Sequence, residues 1–131
     1  MSFRILIVDD DPVVRRLVRS SIEQITEWSV CGEAENGQLA LDAVRKSNPN
    51  AVILDLQMPV MNGLETARQI SQIAPETAMA MLTLHDSEHL EREALKVGIE
   101  RVFAKFQLPQ LVAWLKMTAE KSAKRSNVIT V

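Results

Sequence analysis

FRILIVDDDPVVRR, residues 3–16, passes from an aliphatic run into three consecutive carboxylates and then into a proline that opens a helical stretch. Near-continuous hydrophobicity reads as a strand buried on both faces, the pattern of a parallel sheet covered by helices. Asp11 then reads as a helix N-cap and Pro12 as the first helical residue, where a missing N–H costs nothing. Val14, Leu17, Val18, Ile22 and Ile25 supply the inward stripe of that helix. Asp9 and Asp10 are left over. Ionised neighbours a few ångströms apart repel by roughly 1 to 4 kcal/mol per pair at a partly exposed site. Either these acids form a solvated turn, or something positive belongs between them.

Outward from this stretch the alternation of strand and helix repeats. WSVCGEA (28–34) is a second strand and GQLALDAVRKS (37–47) a second helix, with Asn48-Pro49-Asn50 a breaker before the third strand, AVILDL (51–56). MNGLETARQISQI (61–73) supplies a loop and third helix, ended by Pro75, and TAMAMLTL (77–84) a fourth strand. DSEHLEREALKVG (86–98) is a helix closed by Gly98, and ERVFAK (100–105) a short fifth strand. In the last helix, LPQLVAWLKMTAEK (108–121), Leu108, Leu111, Val112 and Leu115 face inward. Trp114 and Met117 lie off that stripe, as partly exposed residues or as a dimer or partner surface with helix 4. One domain over 1–120 is expected, followed by a flexible C-terminal tail over 121–131 that lacks a helical stripe.

At 131 residues the chain is long enough for one domain with a proper hydrophobic core. Lys plus Arg is 15 and Asp plus Glu is 17, so no basic excess points to direct nucleic acid binding. The single cysteine, Cys31, has no partner within the chain and reads as a small buried hydrophobe in a reducing cytosol. The short N-terminal apolar run ends in acids and does not resemble a signal peptide, and no apolar segment approaches membrane-spanning length. A cytoplasmic protein without membrane contact is expected.

Open parallel α/β sheets bind ligands in the crevice beyond the carboxyl ends of their strands, and the polar residues of this chain gather at those ends. Asp9 and Asp10 end the first strand, Asp55 the third, Thr83 the fourth and Lys105 the fifth. Clustered carboxylates suit a hard divalent cation, Mg2+ or Mn2+, which takes oxygen ligands and bridges readily to phosphate. A carboxylate beside such a cation is a candidate nucleophile toward phosphorus. An ammonium and a hydroxyl are suited to neutralise the equatorial oxygens of a transferred phosphoryl group.

The order DD, D, T and K, with LDLQMPVMNGLE (54–65) as its most specific piece, resembles the receiver domain of two-component response regulators over the whole folded length. GEAENGQLAL (32–41) is similar to receivers of the LuxR-type class. The resemblance implies a flavodoxin-like, doubly wound (βα)5 fold with strand order 2-1-3-4-5. It implies Asp55 as phosphoacceptor for a sensor histidine kinase, Asp9 and Asp10 as metal-site acids with the Gln57 backbone carbonyl, and Thr83 and Lys105 as phosphoryl contacts. It also implies a switch that catalyses its own phosphorylation and dephosphorylation, with a homodimer or partner face on helix 4, strand 5 and helix 5.

Three positions depart from the family pattern. Leu84 stands where a small residue usually follows the Thr, Val102 where an aromatic usually precedes the Lys, and Phe106 where a proline usually follows it. A cis bond before a non-proline residue costs about 2.5 to 4 kcal/mol, so Lys105–Phe106 is expected to be trans. Leu84 is expected to narrow access to Asp55. These departures motivate a rival reading, a receiver-like adaptor that recognises partners without phosphorylation. A haloacid-dehalogenase-type phosphatase is disfavoured because Gln57 stands where its second acid would be, and nucleotide binding because neither GxGxxG nor a P-loop occurs. His85 and His89, four apart with no third ligand, read as solvated helix residues rather than a zinc site, with His85 bordering the acid cluster.

Overall fold

Every hydrophobic run becomes a strand and every periodic stretch a helix. The computed structural model describes residues 2–129, with side chains over 2–125. Along the chain it places β1 (Phe3–Val8), α1 (Pro12–Glu23), β2 (Trp28–Ala34), α2 (Gly37–Ser47) and β3 (Ala51–Leu54). There follow α3 (Gly63–Ile73), β4 (Ala78–Thr83), α4 (Glu88–Lys96), β5 (Arg101–Ala104) and α5 (Leu108–Ile129). The strands form one parallel sheet in the order β2-β1-β3-β4-β5, as the doubly wound reading requires.

Because side chains alternate across a strand, the central strands feed two separate cores. Leu6, Val8, Val52, Leu54, Met79 and Met81 pack with residues of α2, α3 and α4 on one face. Ile5, Ile7, Ala51, Ile53, Ala80 and Leu82 pack with α1 and α5 on the other. At the edge strand β2, the register with β1 slips between Ile5 and Leu6, so Val30 and Gly32 find partners while Cys31 is the extra, bulged residue. Cys31 is half-buried against the α2 and α3 side of the core, rather than fully enclosed.

Side chains fix the helix starts. Asp11, Asn36, Asn62 and Ser87 each accept a backbone N–H of the first turn, from Val13, Leu39, Glu65 and Leu90. Gly98, at φ +94°, closes α4: its N–H donates to the Leu95 carbonyl and that of Ile99 to the Ala94 carbonyl, the paired bonds of a Schellman stop.

The structure corrects the expected helix faces at two positions. Leu17 is 54% exposed, because Val18 and Ile22, with Val14 beside them, face the sheet while Leu17 lies a hundred degrees round the helix from Val18. Trp114 is only 4% exposed and belongs to the core with Leu111 and Leu115, whereas Met117 is exposed. The last helix also runs on past residue 120, where a tail was expected, to Ile129. No Gly or Pro interrupts residues 110–129, and Ala, Lys, Glu and Arg sustain a helix without an apolar stripe. Residues 130–131 of the expected tail lie outside the described residues. Among the described residues no helix is long and apolar enough to cross a membrane.

Candidate functional site

The ladder continues one residue beyond several strands, and this aligns the polar groups. The Asp9 N–H donates to the Ala34 carbonyl, Asp55 N–H to Val8, and Lys105 N–H to Thr83, at 3.0, 2.9 and 2.9 Å. Their side chains therefore emerge side by side. Carboxylate oxygens of Asp9, Asp10 and Asp55 lie within 4.8 Å of one another. Lys105 reaches back over them, its Nζ 3.2 Å from Asp9 Oδ2 and 3.5 Å from Asp55 Oδ1. Thr83 and the exposed Gln57 line the same cleft, with Leu84 and His85 at its mouth. Every site residue expected from the sequence thus borders one cavity or the acid cluster beneath it.

Backbone donors hold the two buried acids. Asp11 N–H donates to Asp9 Oδ1 and Leu56 N–H to Asp55 Oδ1, both at 2.9 Å. Gly63 brings the start of α3 directly onto the backbone of Asp55: its N–H donates to the Leu56 carbonyl at 2.7 Å, and a Cβ there would lie 2.1 Å from the Asp55 carbonyl oxygen. Between them, Val60 has φ +75° while Met61 N–H donates to the Pro59 carbonyl at 2.8 Å. This is the strained form of γ-turn, and a β-branched side chain is poorly suited to it.

Burial, and then the charge of Asp9, push the Asp55 carboxyl up to about 6. Burial raises Asp9 as well, against the opposing pull of the Asp11 N–H and Lys105. Burial works against the Lys105 ammonium, but the carboxylates of Asp9 and Asp55 outweigh it and raise its pKa. Three acids answered by one ammonium form a site short of positive charge. Its donors are hard oxygens, so the residues fit a cation of the Mg2+ type, held by Asp9, Asp10 and Asp55. Among the described residues no other group of three His, Cys, Asp or Glu converges in this way, and His89 faces Glu93 along α4 instead of joining His85.

Two features escape a reading of the sequence. Arg15, one turn into α1, donates from Nη1 to the Asp9 carbonyl at 2.6 Å and from Nε to Glu33 at 2.9 Å. Glu33 lies on β2, so no local spacing announces the pair. The positive φ of Val60 has no signal either, since valine normally argues against that conformation.

A family model described as the response regulator receiver domain matches residues 5–116. The transcriptional regulatory protein YdfI of Bacillus subtilis is 37% identical over 95 residues, which cover 72% of this chain and 44% of that protein. The transcriptional regulatory protein DegU of Brevibacillus brevis is 30% identical over 121 residues, 92% of this chain and 51% of its own length. The chain thus spans about half, or less, of these relatives. The crystal structure of a LuxR-family two-component response regulator from Aurantimonas sp. SI85-9A1 superposes with a TM-score of 0.85 at 28% identity, covering 92% of this chain and 87% of that one. Sheet order, the acid cluster at the carboxyl edge and these likenesses agree, and the chain belongs to the receiver domain family of two-component response regulators, with its likeness on the LuxR-type side.

Proposed function

We propose that Asp55 accepts a phosphoryl group from the phosphohistidine of a sensor histidine kinase, in a reaction that this domain itself catalyses in both phosphorylation and dephosphorylation. The observation that carries the reading is the placement of the Lys105 ammonium between Asp9 and Asp55 with the Asp10 carboxylate alongside. An Asp55 carboxylate oxygen attacks phosphorus, the phosphorus–nitrogen bond breaks, and the imidazole leaves with the bonding pair. Asp9, Asp10, Asp55 and the Gln57 backbone carbonyl would hold Mg2+ or Mn2+, which would supply positive charge to the transferring oxygens. Lys105 and the Thr83 hydroxyl, which line the same cleft, take up the remaining oxygen charge. The work is done in the cytoplasm by the receiver domain, residues 1–120. The α4–β5–α5 side is the face for a homodimer or output partner, a reading supported by the exposed Leu95 on α4 and Met117 on α5.

Incubation with Mg2+ and acetyl phosphate, followed by intact mass measurement, tests the reading with Asp55→Asn as control. A gain of one phosphoryl group in the parent alone is expected. A second reading, an adaptor that recognises partners without phosphorylation, is favoured by Leu84 at the cleft mouth and by the absence of an aromatic at Val102. No modification with any phosphodonor would sink the phosphoacceptor and favour the adaptor.

A further inference from the structure

Asp9, Asp10 and Asp55 are held in unequal ways. Asp9 and Asp55 are buried and each accepts a backbone N–H, whereas Asp10 is exposed, and among the described residues no hydrogen bond or ion pair holds its carboxylate. The backbone of Asp10 therefore fixes where its Cα–Cβ bond points, and with it the region its carboxylate can reach. That backbone begins with the planar peptide whose carbonyl belongs to Asp9, and this carbonyl receives Arg15 Nη1 at 2.6 Å.

Arg15 is itself clamped. Its Nε donates to Glu33 Oε1 at 2.9 Å, and Arg19 Nε holds the other Glu33 oxygen at 2.7 Å, so a carboxylate on β2 ties two turns of α1 to the sheet. The Arg15 side chain is 18% exposed, which leaves it little freedom to swing away. An arginine so close to a site for a dication is electrostatically adverse unless it does something else.

We propose that Arg15, braced by Glu33, is a positioning residue for the divalent-cation site: it fixes the Asp9–Asp10 peptide and so aims Asp10 at the ion. The inference rests on the cation site of the proposed function. It makes a prediction whose sign separates it from bystander electrostatics. Removing a bystander positive charge tightens binding of a dication, whereas removing the brace loosens it.

The test is titration of the whole chain with Mn2+, followed by the electron paramagnetic resonance signal of the free ion. The variants are Arg15→Ala, Arg15→Lys, Glu33→Gln and Arg19→Ala. Arg15→Ala is expected to weaken Mn2+ binding about tenfold, the usual scale for losing a group that orients a metal ligand. Arg15→Lys, which keeps a donor for the Asp9 carbonyl, recovers most of that loss. Arg19→Ala, which leaves the carbonyl contact intact, stays within about twofold, and Glu33→Gln falls between, because a neutral amide braces Arg15 less firmly. The Mn2+ concentration giving half the maximal phosphorylation rate with acetyl phosphate shifts by the same factors. A structural role alone would lower the thermal midpoint in EDTA without this ordering of affinities. Unchanged or tighter Mn2+ binding by Arg15→Ala and Arg15→Lys overturns the inference while leaving the proposed function standing. A parent chain that binds no Mn2+ overturns both, and if Arg15→Ala does not fold, equal affinities of Arg15→Lys, Glu33→Gln and the parent do so for the inference.

Discussion

Asp55→Asn should stabilise the cation-free protein near neutral pH, although it removes the proposed phosphoacceptor. The Asp55 carboxyl is raised from 3.8 to about 6, by burial first and by Asp9 second. A gap of that size corresponds to about 3 kcal/mol against the ionised form. Water entering the cleft screens part of it, leaving about 1–2 kcal/mol as the expected gain. The sign follows from proton linkage. Between its unfolded value and about 6 the native carboxyl holds a proton that the unfolded chain has released, so the burden is absent below 3.8 and grows as pH rises toward 7. Urea unfolding in EDTA at pH 7.5 should therefore give a higher midpoint for Asp55→Asn than for the parent, and the gap should shrink at pH 5. Mg2+ at pH 7.5 should narrow it too, because the ion binds the parent acids more tightly than the variant. The asparagine oxygen can keep the Leu56 N–H bond, so loss of that contact does not confuse the comparison. A lower midpoint for Asp55→Asn, or a gap independent of pH, would refute the view that the site lacks positive charge.

The β3–α3 loop invites the opposite kind of change. Val60→Gly removes a β-branched side chain from φ +75° and should raise the urea midpoint, by about 1 kcal/mol after the added freedom of the unfolded chain is deducted. Gly63→Ala sets a methyl group 2.1 Å from the Asp55 carbonyl oxygen and should cost at least about 3 kcal/mol, with weakened Mg2+ binding as the start of α3 moves off the nucleophile's backbone. Leu84→Ala opens the cleft mouth and should speed both phosphorylation by acetyl phosphate and hydrolysis of the phosphorylated form; rates equal to the parent's would show that Leu84, 68% exposed, leaves Asp55 accessible.

The fold was legible because its signals are local and redundant. Strands β1, β3 and β4 are apolar runs, and four of the five helix starts carry a capping Asp, Asn or Ser, of which Asp11 beside Pro12 is the plainest in the sequence. Legibility fails where several positions on one helix compete for the same surface. Leu17 and Val18 are equally apolar, and only the tilt of α1 on the sheet decides that Val18 is buried. Trp114 was hidden by the same ambiguity on α5. The acids, Thr83 and Lys105 were readable as strand-end polar residues, but Arg15 was not. Its partners are a carbonyl, which any residue could offer, and a glutamate on a strand separated from it by the rest of α1.

The output step is where this chain departs furthest from the family resemblance, and the structure narrows what can perform it. Val102 points toward α4 and packs on that side of the core, in the place where an aromatic would couple Thr83 to the α4–β5–α5 surface. Phe103 is the next residue along β5 and therefore faces the other way, 2% exposed among Leu111, Trp114 and Leu115, with the Arg101 guanidinium 5.0 Å from its ring centre. To serve, it would have to leave a packed core, at a cost of several kcal/mol. Phe106 is 83% exposed beyond the end of β5. Neither ring is placed to follow the Thr83 hydroxyl inward. Leu84 lines the cleft over Asp55 and Phe106 follows Lys105, so a change at Asp55 would reach these exposed side chains on the way to the α4–β5–α5 side without an aromatic relay.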